Sequence, residues 1–297
     1  MWRWVWLPVL FLSALAGAQV TEVHDIVYTQ GGGAPQTLDL YAPALPSQAL
    51  RPGIVFVHGG GWSAGSKDDF ADWGRYYAGF GYVSISINYR LSPQYSWPAQ
   101  IDDTQAAVRW FRKNAAAWGV DPKRIGAVGA SAGGHLVLLL GTTDTLNDKE
   151  PSLHGYSSKV QAVGDYSGPT DFSKPSEWNP DIWQLIAWMV GETTPPGPIW
   201  NVFNMNYRKA SPIFQVTSDD APTIMFHGDA DPVVPVDQAR RMFAALTAKG
   251  VPVSYYEFPG EGHGFTSGPF WVSINALTDF FAAHLASHGP TAPPIAP

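Results

Sequence analysis

The chain contains no cysteine, which excludes a disulfide framework, a thiolate metal site and a lipoprotein anchor. Charge is scarce too. Asp, Glu, Lys and Arg make up 14% of the 297 residues, and 18 basic against 25 acidic side chains leave a formal charge of -7. With no Lys/Arg cluster to meet a polyanion, nucleic acid is not an expected partner. Beyond the first eighteen residues no apolar run is long enough to cross a bilayer, so the mature chain is expected to lack a membrane span. There is no internal repeat. What is plentiful is apolar surface: 45% of residues are hydrophobic and 13 are Trp. Such a chain can fill the core of one large domain.

The first eighteen residues read as an export signal. Arg3 charges a short n-region, Val5 to Leu15 is an apolar stretch too short to span, and Ala16-Gly17-Ala18 places small residues at a cleavage site. Cleavage after Ala18 would leave residues 19–285 as the folded domain of a secreted or periplasmic protein. Residues 286–297 are Pro/Ala-rich and read as a flexible tail.

Within the domain, apolar runs alternate between two periods. Strands are expected at Glu22–Tyr28, Gln36–Tyr41, Ile54–Val57, Tyr82–Ile87, Arg124–Val128, Val160–Tyr166, Thr223–Phe226 and Val253–Phe258. Ile54-Val55-Phe56-Val57 is apolar throughout, as a central strand buried on both faces must be. Helices are expected at Asp68–Phe80, at Pro98–Ala117, after Ser131, around Ile182–Val190, between the last two strands, and near the C-terminus. The alternation predicts an α/β fold with a mostly parallel central sheet covered by helices on both sides. Residues 172–212 break it. They hold Trp178, Trp183, Trp188, Trp200, Phe203 and many prolines, and read as a Trp-rich insertion that packs on the domain and serves as a lid.

The chemistry centres on Gly129-Ala130-Ser131-Ala132-Gly133, set between a strand and an apolar helix. Glycines let strand and helix backbones approach closely, and the turn between them exposes a serine hydroxyl. A serine becomes a nucleophile only when a base takes its proton. His263 lies in Gly262-His263-Gly264 after the last strand, where flanking glycines free its ring to lean over the sheet edge. An orienting carboxylate belongs after the preceding strand, where Asp229 and Asp231 compete. Asp231 lies farther from the strand end and reaches better; Asp229 is expected to cap its turn. The order Ser131, Asp231, His263, with gaps of 100 and 32 residues, differs from the chymotrypsin and subtilisin orders. The glycine run after the strand at Ile54–Val57, with the N–H of Ala132 at the helix start, supplies donors for an oxyanion.

Taken together, His58-Gly-Gly-Gly-Trp62, Gly65-Ser66-Lys67, Asn88–Pro93, Trp97–Asp103, Asp121–Ile125, Gly129–His135, His227–Asp231 and Gly262–Phe265 resemble the α/β-hydrolases of the hormone-sensitive-lipase-like and bacterial feruloyl-esterase-like group. The resemblance covers roughly residues 50–285. It implies Ser131 as nucleophile, His263 as base, Asp231 as its orienter, Gly60, Gly61 and Ala132 at the oxyanion, and a structural role for Asp102 or Asp103. The expected activity is that of a serine carboxylesterase needing no metal or organic cofactor. Its substrate would be a small-molecule or polysaccharide-linked ester, with a feruloyl, acetyl or similar acyl group. Trp62, Trp97, Trp183 and Trp188 are the expected lining of the substrate pocket. An amidase, formamidase or exopeptidase of the same fold is the alternative within enzymes. A non-catalytic binding protein on a hydrolase scaffold is the alternative outside them.

Overall fold

The computed structural model describes residues 19–33, 35–143, 150–192 and 205–285. The expected export signal, the C-terminal tail and residues 193–204, with Trp200 and Phe203, lie outside them. The strands are β1 (Val20–Thr29), β2 (Gln36–Pro43), β3 (Arg51–Val57), β4 (Val83–Ile87), β5 (Val120–Ala130), β6 (Ala162–Tyr166), β7 (Thr223–Gly228) and β8 (Val253–Phe258). The helices are α1 (Ala71–Gly79), α2 (Ala99–Lys113), α3 (Ala132–Thr142), α4 (Pro180–Val190), α5 (Met205–Lys209), α6 (Asp237–Ala248) and α7 (Ser267–Leu285). The eight strands form one sheet in the order β1-β2-β4-β3-β5-β6-β7-β8. β2 runs antiparallel to both β1 and β4, and every pairing from β4 through to β8 is parallel.

Helices cover both faces, as a parallel sheet requires. α1 and α7 close one side over Phe56, Tyr77, Phe226, Leu277 and Phe281. α2, α3 and α6 close the other over Val55, Val57, Leu136, Leu139, Met225 and Met242. α3 is apolar all round because it is buried all round, with Leu136 to Leu140 at most 1% exposed.

Two expected helices are shorter than their apolar pattern, each for a local reason. Ser66 forms a capping box: its hydroxyl accepts from Asp68 N while Asp69 Oδ2 accepts from Ser66 N. That starts a 3-10 turn at Lys67–Phe70, and α1 begins only at Ala71. At the end of α2, Asn114 turns its amide back to donate to the Trp110 carbonyl at 2.8 Å. A 3-10 turn then carries the chain to Gly119, at φ 65°. α5 has no counterpart in the sequence reading.

Arg90, just past β4, is tied to α2 by a two-pronged ion pair. Its Nη2 donates to Asp103 Oδ1 at 2.7 Å and its Nε to Oδ2 at 2.8 Å, while the Arg90 backbone N–H also donates to Oδ2. Both side chains are buried, so Asp103 carries the structural role. Asp103→Ala would strand a buried guanidinium, and urea unfolding is expected to show a loss of about 3–5 kcal/mol. A loss within about 0.5 kcal/mol, the range of ordinary surface changes, would refute this account of the pair.

Candidate active site

The site begins where β5 meets α3. Ser131 has φ 56° and ψ -119°, a backbone state that costs a non-glycine residue about 1–3 kcal/mol and persists only when its surroundings enforce it. The enforcement is visible. Ser131 N–H donates to the Tyr166 carbonyl at 2.7 Å, and the Ser131 carbonyl accepts from His135 N–H at 2.9 Å. A Cβ at Gly133 would collide with the Val57 carbonyl and stand 2.6 Å from that of His58, so only glycine allows α3 to start this close to β3. Ala132 is the first helical residue, and its N–H belongs to the unsatisfied first turn.

Asp231 and His263 meet across the loops that follow β7 and β8. His263 Nδ1 lies 2.7 Å from Asp231 Oδ2. Asp231 Oδ1 accepts from the N–H groups of Val233 and Val234 at 2.8 and 2.9 Å, so the Asp-Pro-Val-Val turn aims the carboxylate. Burial alone would raise the Asp231 carboxyl. The hydrogen bonds from His227 and His263, joined by the Val234 N–H, outweigh it and hold the group well below the usual carboxylate range. Asp229 instead accepts from Gly260 N–H at 2.6 Å, which ties its turn to the loop before His263.

The glycine run after β3 makes a tight reversal in which Gly60, Gly61 and Trp62 all have positive φ. A Cβ at Gly60 would strike the Ala64 carbonyl, and one at Gly61 would lie 2.6 Å from Leu185 of α4. Tyr89 Oη donates to the His58 carbonyl at 3.0 Å, and the two rings stack with centroids 4.2 Å apart. Trp62, at φ 56°, turns its indole inward. Its Nε1 donates to His135 Nδ1 at 3.1 Å, and His135 Nε2 donates to the Ala210 carbonyl at 2.6 Å. Burial pushes the His135 ring down to about 4, against the pull of that carbonyl. It is neutral, with its two nitrogens in opposite roles.

Ser131 and His263 open onto one cavity of about 40 Å³, which Gly59, Ser167, Asp69, Phe70, Trp73, Tyr166, Phe265 and Phe270 also line. The four tryptophans expected there are placed elsewhere. Trp62 is 2% exposed in the core. Trp97 packs against the core, its N–H donating to the Met189 carbonyl. Trp183 stacks on Tyr207 at 5.1 Å, and Trp188 is half-buried on α4. None of them, nor Gly60, Gly61 or Ala132, is among the described residues lining this cavity. The described part of the insertion packs on the domain: Phe172, Trp178, Trp183 and Met189 all join the core. The actual aromatic wall comes from the turn before α1, from α1, and from the segment running from His263 into α7. Tyr166 and Ser167 had a usable signal, since one ends and the other follows a strand at the carboxyl edge of a parallel sheet, where ligands bind. Trp73 had none beyond its helical period.

A parallel sheet with an antiparallel start, a strained serine after its fifth strand and an imidazole–carboxylate pair beyond its last two is the α/β-hydrolase architecture. Within it, the chain belongs to the BD-FAE family, whose profile matches residues 38–246. It is similar to esterase LipC of Mycobacterium tuberculosis, 35% identical over 82% of this chain and 60% of LipC. It is also similar to esterase LipQ of the same organism, 32% identical over 82% of this chain and 57% of LipQ. The chain thus spans under two thirds of these relatives. Among solved structures, the thermophilic esterase Est2 of Thermogutta terrifontis superposes with a TM-score of 0.74 at 28% identity, covering 93% of this chain and 96% of Est2.

The electrostatics of Asp231 carry a pH signature. A carboxyl depressed on folding stabilises the fold above the ordinary carboxylate range, and that contribution is lost as pH falls through it toward the lower folded value. The stability gap between the wild type and Asp231→Asn in thermal melts should therefore hold steady from about pH 7 to about pH 5 and begin to narrow toward about pH 3. A constant offset at every pH would contradict the assignment.

Proposed function

We propose that this chain is a secreted serine carboxylesterase acting on esters of short acyl groups through an acyl-enzyme. One observation carries the reading: Ser131, held in a strained turn, shares a cavity with His263, whose ring is fixed 2.7 Å from the Asp231 carboxylate. In this mechanism Ser131 Oγ attacks the ester carbonyl as His263 Nε2 takes its proton. Asp231 holds Nδ1–H and stabilises the imidazolium. The N–H groups of Gly60, Gly61 and Ala132 receive the oxyanion, each worth about 3 kcal/mol in the transition state. The proton passes to the departing alcohol, and water activated by the same imidazole releases the acid.

The cavity size favours the short acyl end of the expected range. A cavity of only about 40 Å³ beside Ser131 suits an acetyl to butyryl group better than a hydroxycinnamoyl one. Solved forms of the Thermogutta terrifontis esterase with propionate and with butyrate bound, and one phosphonylated by sarin, support a short-acyl, serine-type reading by similarity.

A fluorophosphonate probe should label the wild type and fail on Ser131→Ala, whose esterase kcat is expected to fall by about 10⁴-fold or more. Undiminished labelling of that variant would remove the nucleophile. Across p-nitrophenyl esters, kcat/KM should peak between acetate and butyrate and drop at least about tenfold by octanoate, since a few methylenes lacking room outweigh their apolar gain. Trp73→Ala should lift the longer esters selectively. A best substrate among octanoate or feruloyl esters would contradict the cavity argument, and a matched anilide turned over faster than its ester would favour the amidase reading. Export by the signal proposed for residues 1–18 would show as a mature N-terminus at Gln19.

A further inference from the structure

Two serines stand side by side at the carboxyl end of the sheet, and the esterase mechanism uses one of them. Ala130 of β5 pairs in register with Tyr166 of β6, so Ser131 and Ser167, each one residue further on, leave neighbouring strands at the same level. Such strands lie about 4.8 Å apart. Both residues have a backbone state that favours glycine, Ser131 at φ 56° and Ser167 at φ 52°. Both line the cavity that His263 also reaches. For Ser131 the strain serves the nucleophile. For Ser167 nothing in the proposed reaction accounts for it, and strain of this kind persists only where the surroundings enforce it.

The turn that holds Ser167 is fixed by its backbone. The peptide before it is held from both ends: the Tyr166 carbonyl accepts from Ser131 N–H at 2.7 Å, and Ser167 N–H donates to the Phe226 carbonyl at 2.9 Å. The next residue, Gly168, donates its N–H to Asp165 Oδ1 at 3.0 Å. It lies so close to the start of α3 that a Cβ there would stand 2.7 Å from His135 N. The Ser167 side chain is 2% exposed, and its hydroxyl is buried with no hydrogen-bond partner among the described residues. A buried hydroxyl left in that state is costly, and such groups are few in folded proteins.

The setting narrows what this hydroxyl can meet. Phe70, Trp73, Phe265 and Phe270 make the cavity wall largely apolar. Of the non-aromatic polar side chains in the lining, Ser131 and His263 enter the proposed reaction, and Asp69 caps its own 3-10 turn by accepting from Ser66 N–H. An acyl group carried on Ser131 Oγ starts one strand away from Ser167. Two covalent bonds and a hydrogen bond of about 2.8 Å span more than the spacing between strands. We infer that Ser167 is a specificity-determining residue whose hydroxyl pairs with an oxygen on the carbon next to the ester carbonyl. The preferred acyl groups are then short 2-hydroxyacyl groups, such as glycolyl and lactyl. The inference deepens the Ser131–His263–Asp231 reading and rests on it. A propionyl group of the same size leaves the hydroxyl unpaired, and a site that pairs a substrate oxygen discriminates against the analogue lacking it.

The test measures kcat/KM for methyl glycolate and methyl propionate, which differ by a hydroxyl in place of a methyl group. An oxygen beside the carbonyl also raises an ester's intrinsic reactivity, so each value is divided by that ester's rate with hydroxide alone. After this correction the wild type should favour the glycolyl ester by about tenfold, as expected for one satisfied buried hydroxyl. Ser167→Ala, which removes only the oxygen, should bring the ratio to within about twofold of unity. Ser167→Gly also removes the hydroxyl and suits the positive φ, so it gives the same comparison where the alanine variant folds poorly. A corrected wild-type ratio below about threefold, or a ratio that both variants leave unchanged, would overturn the inference. Failure of the underlying esterase reading would appear separately, as a wild type that no fluorophosphonate labels.

Discussion

Everything at this site depends on how near α3 comes to β3. The α-carbon of Gly133 sits against the carbonyls of Val57 and His58 with no space for a methyl group, and that contact fixes where the helix starts. Once it is fixed, Ser131 has to bridge strand and helix in a single residue and takes a positive φ. The serine is strained because its neighbours are not free to relax: β5 is paired on both sides, and α3 is buried along its whole length. The strain is thus maintained by core packing, the one reservoir large enough to sustain it.

Two carboxyls in this layer of the fold show how partners, more than burial, decide charge. Asp231 has no side-chain exposure yet is held ionised, because both oxygens accept hydrogen bonds and two imidazoles face it. Asp165 is equally buried but has a donor on only one oxygen, and its carboxyl moves the opposite way.

Much of the fold could be read from the sequence because the relevant signals are local. All eight strands and the loops bearing Ser131, Asp231 and His263 follow from apolar period, glycine placement and chain order. The choice of Asp231 over Asp229 was open to the same reasoning, since the turn chemistry that aims one and ties down the other lies within a few residues. The cavity wall was not legible in this way. Its aromatic residues come from well-separated segments, and no local pattern says which face of α1 or α7 looks toward the serine. The four tryptophans lie away from this cavity for a related reason. Trp62 sits beside the glycine run in sequence, but its positive φ sends the indole to the far side, toward His135.

That inward turn gives the fold a weak point on one side of the acidity scale. His135 joins the glycine loop to the stretch ending at Ala210 by receiving hydrogen at one nitrogen and giving it at the other, an arrangement open only to the uncharged ring. A second proton would set two donors nose to nose at the indole. The unfolded chain takes up that proton near an ordinary histidine value, whereas the buried ring resists it down to about 4, so acidification drains stability from this crosspiece. Mild acid should therefore loosen the glycine loop and the stretch ending at Ala210.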